Sequence, residues 1–213
     1  MTAFSRRAFT TAALASLLTA CGGQGTKGTA SDSGTSAPQP RSPHRTVPAA
    51  GARPLARSVP VRLQVPAIGV DTPVIRLGLA PDGTVRVPPV TADDRAGWYR
   101  HSPTPGQTGP SVILGHVTVG KYGDGVFRRL AELHRGDRIV ARLENGAAAE
   151  FAVTAVRTVP RTRFPADDVY GNVDRPELRL ITCGGARTGD GYADNVIVFA
   201  ALSGAESPTP GER

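Results

Sequence analysis

The sequence predicts a mainly β protein, a closed eight-stranded β-barrel with one or two short helices. Three observations carry that expectation. Apolar and polar residues alternate over short runs, the two-residue period of a half-buried strand. Gly, Pro and Asn-Gly turn signals separate those runs. Convincing helical spacing occurs in one place, VFRRLAEL at residues 126–133. Many short strands with little helix favour a sheet that closes on itself, since closure removes exposed edges.

The elements follow in order. VRLQVP at 61–66 alternates cleanly and reads as the first strand, with a short second strand at 74–77. Pro81-Asp82-Gly83 turns the chain into TVRV at 84–87, and AGWY at 96–99 brings an aromatic pair to the core or to a site rim. A Pro/Gly loop over 102–110 leads into SVILGH at 111–116, an apolar strand ending in Gly115-His116. Residues 138–144 and 150–158 form a hairpin about Asn145-Gly146, a dipeptide that accepts the positive φ of a tight turn. LRLITCGG at 178–185 is again a strand, and its two final glycines permit a sharp exit and close approach of a ligand. NVIVFA at 195–200 is the last strand. The folded domain is therefore 59–203, with residues 204–213 an unstructured tail.

The chain has 213 residues, of which 39% are apolar, which suits one globular domain plus polar extensions. Its formal charge is +7, falling to +5 without Arg6 and Arg7 of the leader. The cations are scattered and no nucleic-acid motif accompanies them, so the excess reads as solubility or affinity for an anionic envelope, not as nucleic-acid binding.

Residues 1–21 read as an address. Ser5-Arg6-Arg7-Ala8-Phe9 has the form of a twin-arginine export signal, although a general secretory signal also carries arginine pairs. The apolar run at 11–20 is too short to remain as a membrane-spanning helix. It ends in Leu18-Thr19-Ala20-Cys21, a lipobox-like sequence that predicts cleavage before Cys21 and acylation of its thiol. Residues 22–58, rich in Gly, Ser, Thr and Pro, read as a disordered tether. The domain is expected at the outer face of the cytoplasmic membrane, lipid-anchored or secreted. An acylated Cys21 leaves Cys183 as a lone thiol in a disulfide-permissive compartment, a liability unless it is buried or used.

Cys183 at the exit of its strand and His116 at the end of an earlier one are a nucleophile and a proton carrier of matched chemistry. A free thiol titrates near ~8.5 and needs a polar neighbour to attack as thiolate, and an imidazole can move the protons of acyl transfer. The other histidines carry less: His44 falls in the tether, His134 in a turn, and His101, after Trp98-Tyr99-Arg100, suits the surface more than a rim. No Cys/His metal spacing and no phosphate loop is present in the sequence.

LITCGG at 180–185 resembles the cysteine strand of sortases, and ILGH at 113–116 the strand end that carries their histidine. VPAIGVD at 65–71, AGWY at 96–99 and DNVIV at 194–198 are similar to stretches of the actinobacterial class F sortases. The resemblance spans 59–202 and implies a sortase β-barrel acting as a cysteine transpeptidase. Cys183 would attack a threonine carbonyl of a sorting-signal peptide, and His116 would serve as acid and base. A thioacyl-enzyme would form and pass to an amine acceptor of the cell wall or a pilin. No metal and no organic cofactor is implied for catalysis. Sortases also use an arginine near the last strand to steady the oxyanion, a role worth ~2.7–4 kcal/mol at comparable sites. Here Ala193 or Asn195 stands at that place, so Arg187, with Asn195 as a hydrogen-bond donor, completes the candidate set. A catalytically silent envelope-binding lipoprotein on the same barrel is the alternative. An L,D-transpeptidase is disfavoured because no Ser-x-Gly-Cys surrounds Cys183.

Overall fold

The computed structural model describes residues 53–91, 94–189 and 191–206. The export signal, Cys21, the tether up to residue 52 and residues 207–213 lie outside the described residues.

Alternation is what builds the barrel. Eight strands close in the order β1-β2-β3-β4-β7-β8-β6-β5: β1 Pro60–Val65, β2 Val70–Leu77, β3 Ala96–Tyr99, β4 Gly109–Leu114, β5 Arg138–Leu143, β6 Ala148–Pro160, β7 Pro176–Thr188 and β8 Gly191–Glu206. Neighbours are antiparallel except β2–β3 and β4–β7, which run parallel. Side chains on one parity point inward: Leu63, Trp98, Ile113, Phe151, Leu178, Leu180 and Val198 belong to one buried cluster. The other parity of β4, β7 and β8 supplies a second cluster on the outer face, with Val112, Ile181, Ile197 and Phe199. A five-residue helix α1 (Ala166–Tyr170) covers that outer cluster with Val169.

Three expectations are corrected. Residues 126–133 are not an α-helix: their backbone bonds run i to i+3 (Arg128 N to Gly125 O, Leu130 N to Phe127 O, Glu132 N to Arg129 O), with a 3-10 turn at Leu130–Glu132. Phe127, Leu130 and Leu133 are all buried, and a strict spacing of three suits 3-10 geometry better than 3.6. Residues 84–87 contribute a single bridge, Leu79 with Val85, instead of a strand. β8 runs on to Glu206, its last residues paired with Ala148–Glu150, beyond the end the sequence suggested.

The end of the barrel where β4 begins is closed by the chain entering it. Leu55 N donates to Gly106 O at 2.8 Å and its side chain lies on Gly106. Ser58 N reaches Thr104 Oγ1, Asn145 N reaches Ser58 Oγ, and Glu144 N reaches Val59 O. Because β4 and β7 run parallel, both point their C-terminal ends to the opposite pole.

Candidate active site

That opposite pole carries the candidate site residues. The β4–β7 ladder pairs Val112 with Arg179 and Leu114 with Ile181, and Gly115 N extends it by donating to Ile181 O at 3.1 Å. Two steps on, His116 follows β4 as Cys183 follows Ile181. Cys183 keeps the outer parity of Ile181 within β7, and His116 lies just past the end of β4, two residues beyond Leu114. Cys183 is exposed and free, so it is reachable, and His116 is half-buried.

Local sequence explains the placement. Gly115 sits under the Phe127 ring, where a Cβ would come within 2.5 Å of it. Gly125 lies so close to the His116 carbonyl that a Cβ would stand 2.2 Å from its oxygen. Phe127 N donates to that carbonyl at 2.9 Å. The loop after β4 is thus clamped onto His116. The imidazole is held from its other side: Nε2 lies 2.7 Å from Pro88 O. A carbonyl only accepts, so Nε2 carries a proton there and Nδ1 is the nitrogen left to exchange one.

Across the ribbon, Cys183 is directly opposite Asn195 on β8. Directly opposed residues share a face, so the Asn195 amide and the thiol lie on the same side. Arg187 is placed otherwise. A bulge between Gly184 and Arg187 sets it opposite Tyr192, and β8 alternation puts Tyr192 on the face away from Asn195. Gly185, inside the bulge, takes φ +73° with Asp194 against it, so no side chain fits there. The structure pairs Cys183 with Asn195 and places His116 just past the end of the strand beside β7; it sets Arg187, exposed, on the other face of the ribbon.

Below the thiol, the same outer face of β4 opens into a cavity of about 400 Å³. Tyr99, Val112, Pro103, Pro110 and Tyr170 line it, with His101 at its rim. Val112 is four residues before His116, roughly 13 Å along the strand at ~3.3 Å per residue. A larger hollow of about 530 Å³ is lined by Asp71, Asp94 and Asp124, and neither hollow has Cys183 or His116 in its lining; the smaller one shares the outer face of β4 through Val112. The sequence did not flag this trough, because Tyr170 and Tyr99 meet only through the fold, edge to face with centroids 6.2 Å apart.

The sortase domain family matches residues 63–203. This chain belongs to the sortase family. Solved structures of similar fold include the SrtA sortase from Actinomyces oris (24% identity, 78% of this chain and 92% of that one, TM-score 0.54). Sortase A from Corynebacterium diphtheriae is 18% identical over 74% of this chain and 65% of that one, at TM-score 0.53. Sortase A from Listeria monocytogenes is 20% identical over 73% and 93%, at 0.51. A comparison with curated proteins finds no match. Sortases act at the cell envelope, and among the described residues no helix is long and apolar enough to cross a membrane.

Proposed function

We propose that this sortase is a cysteine transpeptidase of the class F type, tethered through Cys21 at the outer face of the cytoplasmic membrane. The observation that supports the reading most is Cys183 paired with Asn195 on β8, with His116 just past the C-terminal end of β4, the strand that runs parallel to β7.

In the first half-reaction the Cys183 thiolate attacks the threonine carbonyl of a sorting signal lying along the outer face of β4. The carbonyl electrons move to oxygen, and the Asn195 amide donates to the oxyanion. Collapse breaks the peptide C–N bond, and imidazolium His116 gives its proton to the departing amine. In the second, an acceptor amine of wall or pilin attacks the thioester, His116 takes its proton, and the thiolate leaves. Arg187, across the bulge, is assigned no contact with the oxyanion. The apolar trough suits the residues upstream of the scissile bond, since a chain extended from Cys183 reaches Val112 after about four residues.

Mass spectrometry of the protein incubated with candidate sorting peptides tests the reading. A thioacyl adduct on Cys183 that disappears with a primary amine is the expected result. Absence of any adduct, with thiol alkylation unaffected by His116→Ala, would instead favour a silent envelope-binding lipoprotein. The neutral Asn195, where the family is expected to hold a cation, is the observation behind that second reading. Release of a Cys21→Ala form into the medium is the expected sign of lipid anchoring, and its retention in membranes would count against it.

A further inference from the structure

Past Gly184 the sheet thins to two strands. β4 ends at Leu114, so its register stops at Ile181, and β6 pairs no further along β8 than Asp194. Among the described residues, the ribbon made by 185–188 and 191–193 therefore has no third strand paired beside it. A two-stranded ribbon is marginal in water by itself. The loop that leaves His116 also projects past its strand: clamped at its root, it folds back through the bridge of Thr118 with Asp124 and the bonds from Gly125 N to Val117 O and Val119 N to Gly123 O. Cys183, still within the β7–β8 ladder, and His116, past the end of β4, thus sit at the roots of two outgrowths from the barrel.

A side-chain bond joins those outgrowths. Tyr192, on the ribbon face that leans over the barrel mouth, brings its hydroxyl to 3.2 Å from Thr118 Oγ1. Thr118 is two residues past His116, and Tyr192 is three residues from Asn195, the cross-strand partner of Cys183. We infer that Tyr192 is a positioning residue of the transpeptidation site, whose hydroxyl on Thr118 fixes the Cys183 ribbon against the His116 loop. The bond touches no reacting atom. It sets the separation of sulfur and imidazole, and so the fraction of molecules aligned for proton transfer. The inference rests on Cys183 and His116 being the acyl-transfer pair.

The experiment is steady-state acylation of the purified domain by a sorting peptide that the wild type accepts, which first settles the underlying reading. Tyr192→Phe removes one oxygen and keeps the ring. Its expected effect is a loss of about 3- to 10-fold in kcat with KM nearly unchanged, the range of a single neutral hydrogen bond. Thr118→Val should match it, the double variant should be no worse than either single one, and Thr118→Ser should retain wild-type kcat. Losses that add in the double variant, a defect confined to KM, or Thr118→Ser as slow as Thr118→Val would each overturn the inference while leaving the proposed chemistry intact. A wild type with no acylation would instead remove the reading beneath it.

Discussion

The two poles of the barrel differ in how they are held. At the pole where β4 begins, the entering chain, the 103–107 loop and the Asn145-Gly146 turn are tied by main-chain bonds, and Trp98 Nε1 donates to Pro103 O at 3.1 Å. At the other pole, glycines replace side chains, a bulge interrupts the ladder and the thiol faces solvent. The lesson is a division of labour: the first pole contributes stability, and the second keeps a low-stability region where a substrate must enter.

Substitutions at the catalytic pole should cost activity with little stability. The largest effect is expected from Cys183→Ala, which removes the attacking atom: a loss of about 10⁴-fold or more in acylation, with an unchanged thermal midpoint because the side chain is exposed. A thermal midpoint that falls by many degrees would mean the thiol is packed, against the comparison. His116→Ala should lose about 10²- to 10⁴-fold, the usual range for a proton carrier. Asn195→Ala should lose about 10²- to 10³-fold in kcat if the amide steadies the oxyanion, whereas Arg187→Ala should change kcat little. The reverse order would move the oxyanion donor to the arginine and undo the face assignment.

How much of this was legible in the chain divides along the same line. Strand period and turn residues read out the barrel, because a half-buried strand must alternate whatever its partners are. Cys183 and His116 were legible because a short motif surrounds each. Their placement at one pole was not, since it comes from the parallel β4–β7 pairing, which joins residues 67 apart through no local signal. The face of Arg187 was not legible for a smaller reason: one bulge residue swaps the face of everything beyond it. The 126–133 run failed as a helix because its apolar spacing of three belongs to a 3-10 turn pinned by the His116 carbonyl. The segment at 54–58 reads as tether because it is short and polar, yet Leu55 docks by a main-chain bond that composition does not encode.

At the β4-start pole the pattern should invert. Leu55→Ala removes a half-buried side chain from the core edge and should lower stability by about 1–2 kcal/mol in urea unfolding, with kcat unchanged. A drop in kcat at equal stability would show that the two poles are coupled, and the division of labour would fail.

The smallest effect expected is an acid sensitivity at the outer face of β7, between the poles. Glu177 is buried, which opposes its charge, but hydrogen bonds from Arg179 and Arg175 outweigh burial and hold its carboxyl below the usual carboxylate range. Arg179, itself buried, also stacks on Phe199 and reaches Asp168 O at the helix above. A carboxyl whose folded pKa is depressed contributes stability above its unfolded value, near ~4.3, and loses it as pH falls through the folded one. The urea midpoint of wild type should therefore exceed that of Glu177→Gln at neutral pH, and the gap should close below about pH 4. A gap that stays constant with pH would mean the carboxylate's charge contributes nothing and only its shape matters, leaving Arg179 held by the Phe199 ring and the helix carbonyl alone.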